Sequence, residues 1–342
     1  MIRLGPFPLY AYQPEQLHEA VCSRPRITGT GTMTLHPSYI GCDISKHHLD
    51  LYDLKTKKKD TIANTVDAIH TFFKKLKRRK IFVVLEATGA ADRMLRTTLH
   101  ALGIPYARVN PTRARRFAQS TGQIAKTDQL DAKMLADLGE RLQPEAEPAL
   151  DYDRERLAQL ALRRDQLVDM RATEQGRKKE VCEPLARKSL HRHIEMLSEE
   201  IAEIERAIDD LIAASENLTT TQTLLKTAKG VGPVTSLTLL ALMPELGQTS
   251  PKQIAALAGL APYDNQSGLY KGQRRIAGGR RRVRRALYMA ALTATRSNER
   301  LRAFYRSLLD KGKPKKVALI AAARKLLTWL NAMIRDQVPY RE

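Results

Sequence analysis

Cysteine, acidic residues and long apolar runs are all scarce in this chain. Three cysteines in 342 residues, Cys22, Cys42 and Cys182, stand far apart and form no CxxC pair. That excludes a cysteine zinc knuckle or a dithiol couple and fits a reducing, cytoplasmic setting. No run approaches the roughly 18 apolar residues that span a bilayer, so no membrane partner is expected. Acids number 37 against 58 lysines and arginines, a formal charge of +21. Such an excess opposes compaction unless a polyanion neutralises it, and nucleic acid is the expected partner. The 43% of apolar residues suffices for buried cores. The length exceeds the roughly 100 to 200 residues of one domain, so two or three units are expected. The first 32 residues hold Pro6, Pro8, Pro14 and Pro25 but no long apolar core, unlike a signal peptide. Residues 1–36 are expected to form a disordered extension, with Met33 a natural place for translation to begin.

Within residues 37–150, strand and helix signals alternate. YIGCDISKHHLDLYD (39–53) reads as two strands about a turn at Ser45 to His47, and Lys55 to Asp60 reads as a polar turn. Helical spacing follows over Thr65 to Arg79, and Ile81 to Leu85 is a continuous apolar run suited to a central strand. Helix over 91–102, strand over 106–109 and helix from Pro111 complete an α/β domain. Residues 151–222 carry leucine and isoleucine at spacings of three and four, broken near Pro184, which predicts a helical coiled-coil hairpin. Residues 223–338 predict a small all-α domain.

Asp43 lies mid-strand in an apolar context, and Glu86 ends the run IFVVLE. Asp128 and Asp131, in KTDQLDA, are spaced i, i+3 and so share one helical face. Simpler readings exist: a turn-proximal strand acid, a helix-capping acid and an N-cap. Jointly, four acids on two strands and a helix suit a magnesium or manganese site, because such ions take hard oxygen ligands and assist phosphodiester chemistry. His47, His48, His191 and His193 read as surface residues, since hard cations favour oxygen.

Farther on, Gly230, Val231, Gly232 and Pro233 stand between two helical segments, as in a helix-hairpin-helix turn whose amides approach phosphate. An ordinary interhelical turn is the simpler alternative. From Lys271 to Arg285 there are eight basic residues and no acid: Lys271, Arg274, Arg275, Arg280, Arg281, Arg282, Arg284 and Arg285. That composition predicts a phosphate-binding surface. Ser267, followed by Gly268, alone reads as a turn residue; beside the arginines it becomes a candidate nucleophile.

Taken together, the chain from about Tyr39 to Asp336 resembles the DEDD transposases of bacterial insertion sequences, the bridge-RNA-guided recombinases. The resemblance rests on GCDISK at Asp43, LEATG at Glu86, KTDQLDA at Asp128 and Asp131, GVGP at Gly230, and Pro262, Ser267, Gly268, Gly272, Ile276, Gly279, Arg285, Ala286 and Leu287. It departs from the family in the extension before Met33 and in the doubled Gly278 and Gly279 before three arginines. The resemblance implies a ribonuclease-H-like, resolvase-like domain, a coiled coil and a transposase domain. It further implies magnesium held by Asp43, Glu86, Asp128 and Asp131, and Ser267 as a nucleophile forming a covalent phosphoserine link to DNA. The implied partners are donor and target DNA, a structured guide (bridge) RNA and further copies of the chain, as a dimer or tetramer. A metal-dependent junction resolvase or nuclease that activates water is the alternative.

Overall fold

A computed structural model describes residues 38–87, 89–122, 128–148, 150–264, 266–267, 270–271 and 274–341. The expected extension at 1–36 lies outside them. The chain divides between Leu150 and Asp151 into two compact units.

In the first unit, β1 (Tyr39–Ile44), β2 (His48–Asp53) and β3 (Lys58–Ala63) run antiparallel, while β4 (Phe82–Glu86) and β5 (Tyr106–Val109) continue the sheet parallel to β1. The order is β3-β2-β1-β4-β5, the arrangement of the expected ribonuclease-H-like fold. The β1–β2 turn forms because the Ser45 hydroxyl donates to the His48 carbonyl at 2.8 Å and accepts from its amide at 3.0 Å. The polar turn predicted over 55–60 is corrected: its second half is strand β3. KKDTIA is an edge strand, where exposed lysines discourage pairing with other chains and leave no apolar run to read.

Both faces of the sheet are covered. Ile40, Cys42, Leu49, Leu51, Val83 and Leu85 pack against α1 (Val66–Leu76) and α2 (Arg93–Ala101), through residues such as Phe73, Leu95 and Leu99. Tyr39, Phe82 and Val84 pack on the other face against Met134, Leu135 and Leu138 of α4 (Asp128–Leu142), beside α3 (Pro111–Ser120). Helix α4 crosses β1 in contact with its backbone. An added Cβ at Gly41 would run into the Ala132 carbonyl and come within 2.5 Å of the Ala136 nitrogen, so only glycine permits this approach.

In the second unit, α5 (Tyr152–Glu180) and α6 (Pro184–Ala213) pack antiparallel. Arg164 Nη2 sits 2.8 Å from Glu205, and Arg171 donates to Ser198 nearer the tip. Pro184 opens α6, where a missing N–H costs nothing. The base of this hairpin, through Leu157, Ala161, Ile208 and Ile212, shares one core with α7 (Glu216–Thr227), α8 (Pro233–Leu242), α9 (Pro251–Leu257), α10 (Arg281–Ser297), α11 (Glu299–Asp310) and α12 (Lys315–Asp336). One correction arises here. The unit is not purely helical: β6 (Pro262–Tyr263) pairs with β9 (Arg275–Ile276), and β7 (Gln266–Ser267) with β8 (Tyr270–Lys271). Helix α12 is long and apolar enough by composition to cross a membrane, but ten of its residues are buried within the unit, as in the core helix of a globular domain.

Candidate active site and nucleic-acid interface

Parallel pairing sets Cys42 opposite Leu85, so Asp43 and Glu86 follow at the next step on neighbouring strands. Strand alternation turns both toward the α4 face, because Cys42 and Leu85 belong to the opposite core. Both acids are half-buried. Helix α4 runs antiparallel to β1: Ala132 meets Gly41, whereas Gly139 meets Tyr39 and Val84, farther back along the strands. Its first turn, opening at Asp128 and containing the half-buried Asp131, therefore stands at the strand ends occupied by Asp43 and Glu86. Among the described residues no three His, Cys, Asp or Glu side chains form a metal-holding group, and the Asp128 side chain lies outside them.

Asp50 is an acid the sequence reading missed. It is directly opposite Asp43 in the antiparallel ladder and buried, accepting a 2.6 Å hydrogen bond from Thr61, with His48 Nε2 at 3.4 Å. The signal was available: a turn at 45–47 pairs 43 with 50, and acids directly opposite each other repel. Burial pushes the Cys42 thiol well up, reinforced by the negative charges of Asp43 and Asp50, so this cysteine stays a neutral core residue. His47 and His191 are exposed and His48 and His193 half-exposed, each of the latter two near a carboxylate.

In the second unit Ser267 pairs with Tyr270 and Gln266 with Lys271 in the short β7–β8 ladder; the Ser267 and Lys271 side chains lie outside the described residues. The basic run is divided in role. Arg280 makes two 2.6 Å hydrogen bonds to Glu245, whose carboxyl is held low: burial raises it, and the Arg280 guanidinium more than offsets that. Arg282 donates to Asp165 and, at 2.9 Å, to the Ala161 carbonyl, while Arg284 donates to the Gly278 carbonyl at 2.8 Å. Arg274 pairs with Asp264. Arg275, Arg281 and Arg285 are exposed and make no ion pair among the described residues.

The GVGP segment joins α7 to α8. Gly230 has φ +96°, and a Cβ there would come within 2.5 Å of Ala294, so packing on α10 already requires this glycine. Gly232, the N-cap of α8, is exposed, with open space where a Cβ would be.

This two-part chain matches two transposase families in turn. Residues 40–182 match the DEDD transposases of the IS110 type, and residues 222–306 match the transposase IS116/IS110/IS902 family, together more than half the chain. The chain belongs to the IS110-type DEDD transposases. It is 28% identical over 323 residues to the pilin gene-inverting protein of Moraxella lacunata, covering 89% of this chain and 97% of that one. The counterpart in Moraxella bovis is likewise 28% identical, with the same coverage. The uncharacterized 43.6 kDa protein of insertion element IS110 from Streptomyces coelicolor is 30% identical over 41% of the transposase and 35% of its own length. Among solved structures, T. thermophilus RuvC in complex with Holliday junction substrate covers 33% of this transposase and 99% of that chain, with 15% identity and a TM-score of 0.25. Transposase membership assigns the chain to DNA recombination and transposition of an insertion sequence.

Proposed function

We propose that this transposase cuts and rejoins donor and target DNA through a covalent phosphoserine link at Ser267, with Asp43, Glu86, Asp128 and Asp131 holding magnesium or manganese. The observation that supports the reading is the register of β1 and β4, whose last pair, Cys42 and Leu85, stands one residue before Asp43 and Glu86 on neighbouring strands. The donor set fits a hard divalent cation, being all carboxylate with no sulfur or imidazole. Such a cation, when bound, supplies positive charge for phosphodiester oxygens and lowers the pKa of an oxygen nucleophile. Asp50 adds negative charge beside that donor set.

The Ser267 hydroxyl attacks phosphorus, its proton leaves to a nearby base, and the P–O bond to the adjacent deoxyribose breaks as that oxygen is protonated. Arg275, Arg281 and Arg285 are the arginines available to hold phosphate, and the open Gly232 amide at the start of α8 is a further contact. The acids and Ser267 belong to different units, and in this reading further copies of the chain, as a dimer or tetramer, assemble on the nucleic acid. A structured guide RNA completes the proposed assembly.

Nicked-substrate trapping followed by a denaturing gel tests the chemistry. The parent and Ser297→Ala should give a DNA-shifted protein band, and Ser267→Ala should give none while still binding DNA. A band that persists in Ser267→Ala removes this serine. Cutting by the parent with no band at all means hydrolysis by activated water, as in a junction resolvase.

A further inference from the structure

We propose that Asn64 is a positioning residue that fixes the separation of Asp43 and Glu86 by tying together the two turns that follow them; this rests on the reading of those acids as metal ligands. Asn64 lies just after β3, 4% exposed. One of its amide hydrogens goes to the Ser45 carbonyl at 2.9 Å, in the turn two residues after Asp43. The other goes to the Ala91 carbonyl at 3.2 Å, in the 3-10 turn Gly89–Asp92 that follows Glu86. Its backbone N–H also donates to the His47 carbonyl at 2.9 Å. Both side-chain neighbours are acceptors, so chemistry alone places the nitrogen there, and a flipped amide would set oxygen against oxygen.

Two features argue for more than packing. Thr65 already caps α1, its hydroxyl accepting from the Ala68 amide, so Asn64 is not needed to start that helix. Moreover, Asn64 Oδ1 and Asp92 Oδ2 are the buried side-chain atoms without a hydrogen-bond partner among the described residues. Asp92 is the last residue of the turn Gly89–Asp92, fully buried, accepting from Arg96 Nε at 2.8 Å through Oδ1, with Arg108 Nη1 4.0 Å from Oδ2. Unsatisfied buried polar atoms are unfavourable, and native proteins retain few of them. The turns that Asn64 joins lie just past the end of the parallel ladder at Cys42 and Leu85, one residue short of the two acids. Past that point the two acids are no longer paired through each other's strands: Asp43 stays opposite Asp50 of β2 and Glu86 opposite Val109 of β5, and the Asn64 side chain joins the turns that follow them. Residues that orient metal ligands from behind alter metal affinity by roughly 10- to 100-fold when removed.

The test compares the full chain with Asn64→Ala, Asn64→Asp and, as a control for general loosening of the same core, Ile69→Val, whose parent side chain is fully buried. Hydrogen exchange should quicken about tenfold or more at the amides of 45–48 and 89–92 together in both Asn64 variants, and not in Ile69→Val. Mn2+ affinity, read by paramagnetic resonance of the free ion without any DNA, should fall about tenfold or more in the Asn64 variants and stay within about twofold in Ile69→Val. Asn64→Asp, which turns an oxygen toward both carbonyls, should be at least as impaired as Asn64→Ala. Unchanged exchange in either turn overturns the tie itself. Quickened exchange with parental Mn2+ affinity, when Asp43→Ala abolishes binding, overturns the positioning role and leaves the ligand reading standing. Retention of full Mn2+ affinity by both Asp43→Ala and Glu86→Ala overturns the ligand reading, and the positioning role falls with it.

Discussion

Asp53 and Asp43 occupy opposite ends of β1 and β2 and meet different company. Burial alone would raise the Asp53 carboxyl, but hydrogen bonds from Arg79, Ser38 and Thr56 outweigh it and hold the pKa at about 2. An unfolded aspartate titrates near 3.9, so the folded group is depressed. Its contribution is therefore complete above about pH 4 and is lost as pH falls toward about 2. Because Arg79 is one-third exposed, the contribution is of the order of 1–2 kcal/mol rather than the full shift. Urea unfolding at pH 5 and pH 2.5 should show this loss in the parent, and Arg79→Met should flatten the difference; an equal difference in both proteins would refute the assignment. Asp43 faces a second acid instead. That contrast was half legible in the sequence. Alternation in YIGCDI and the run ending at Glu86 placed both acids on strands, whereas Asp50 needed the hairpin register to be carried across the turn. Asn64 offered no periodic signal, because its role depends on carbonyls 19 and 27 residues away.

Elements were readable where burial imposes a period and unreadable where it does not. The doubly covered strand β4 and the amphipathic α1 were visible as patterns; the edge strand β3 was not, since an exposed lysine-rich ladder resembles a turn in composition. The GVGP link shows how one motif mixes two causes. Gly230 is required by its positive φ and by the approach to Ala294, so Gly230→Ala should destabilise the second unit by about 1–3 kcal/mol or more. Gly232 has open space around it and a negative φ, so in Gly232→Ala the lost N-cap preference and the gain from a less flexible unfolded chain oppose each other, each of about 0.5–1 kcal/mol, and the melting temperature should shift by only a few degrees. If the amides at the start of α8 contact phosphate, the added methyl should weaken nucleic-acid binding measurably, by a fewfold at fixed salt. Parental affinity in Gly232→Ala would make this link an ordinary interhelical turn.

At the scale of the whole chain, the charge of +21 gives the sign of the expected partner, but only the fold divides the arginines between those engaged with the protein and those open to solvent. The sequence shows eight basic residues in fifteen positions and treats them as equivalent. Helix α10 does not: with Val283 and Leu287 facing the core, Arg280, Arg282 and Arg284 reach back to Glu245, Asp165 and the Gly278 carbonyl, while Arg281 and Arg285 face solvent. Paired arginines have little charge left for phosphate; solvent-facing ones release counterions when they meet it. The double variant Arg281→Ala, Arg285→Ala should therefore keep its melting temperature and flatten the slope of log affinity against log salt by about two, for every DNA sequence tried. The double variant Arg280→Ala, Arg282→Ala should instead lose stability by about 1–3 kcal/mol, because Glu245 and Asp165 are left without their partners, and change the slope by less than one. Filter binding across 50 to 300 mM salt, with thermal melts of each protein, separates the two. Equal slopes in the parent and the Arg281, Arg285 variant would mean that this face of α10 meets no phosphate, and the nucleic-acid interface would have to be sought on another basic surface of the chain.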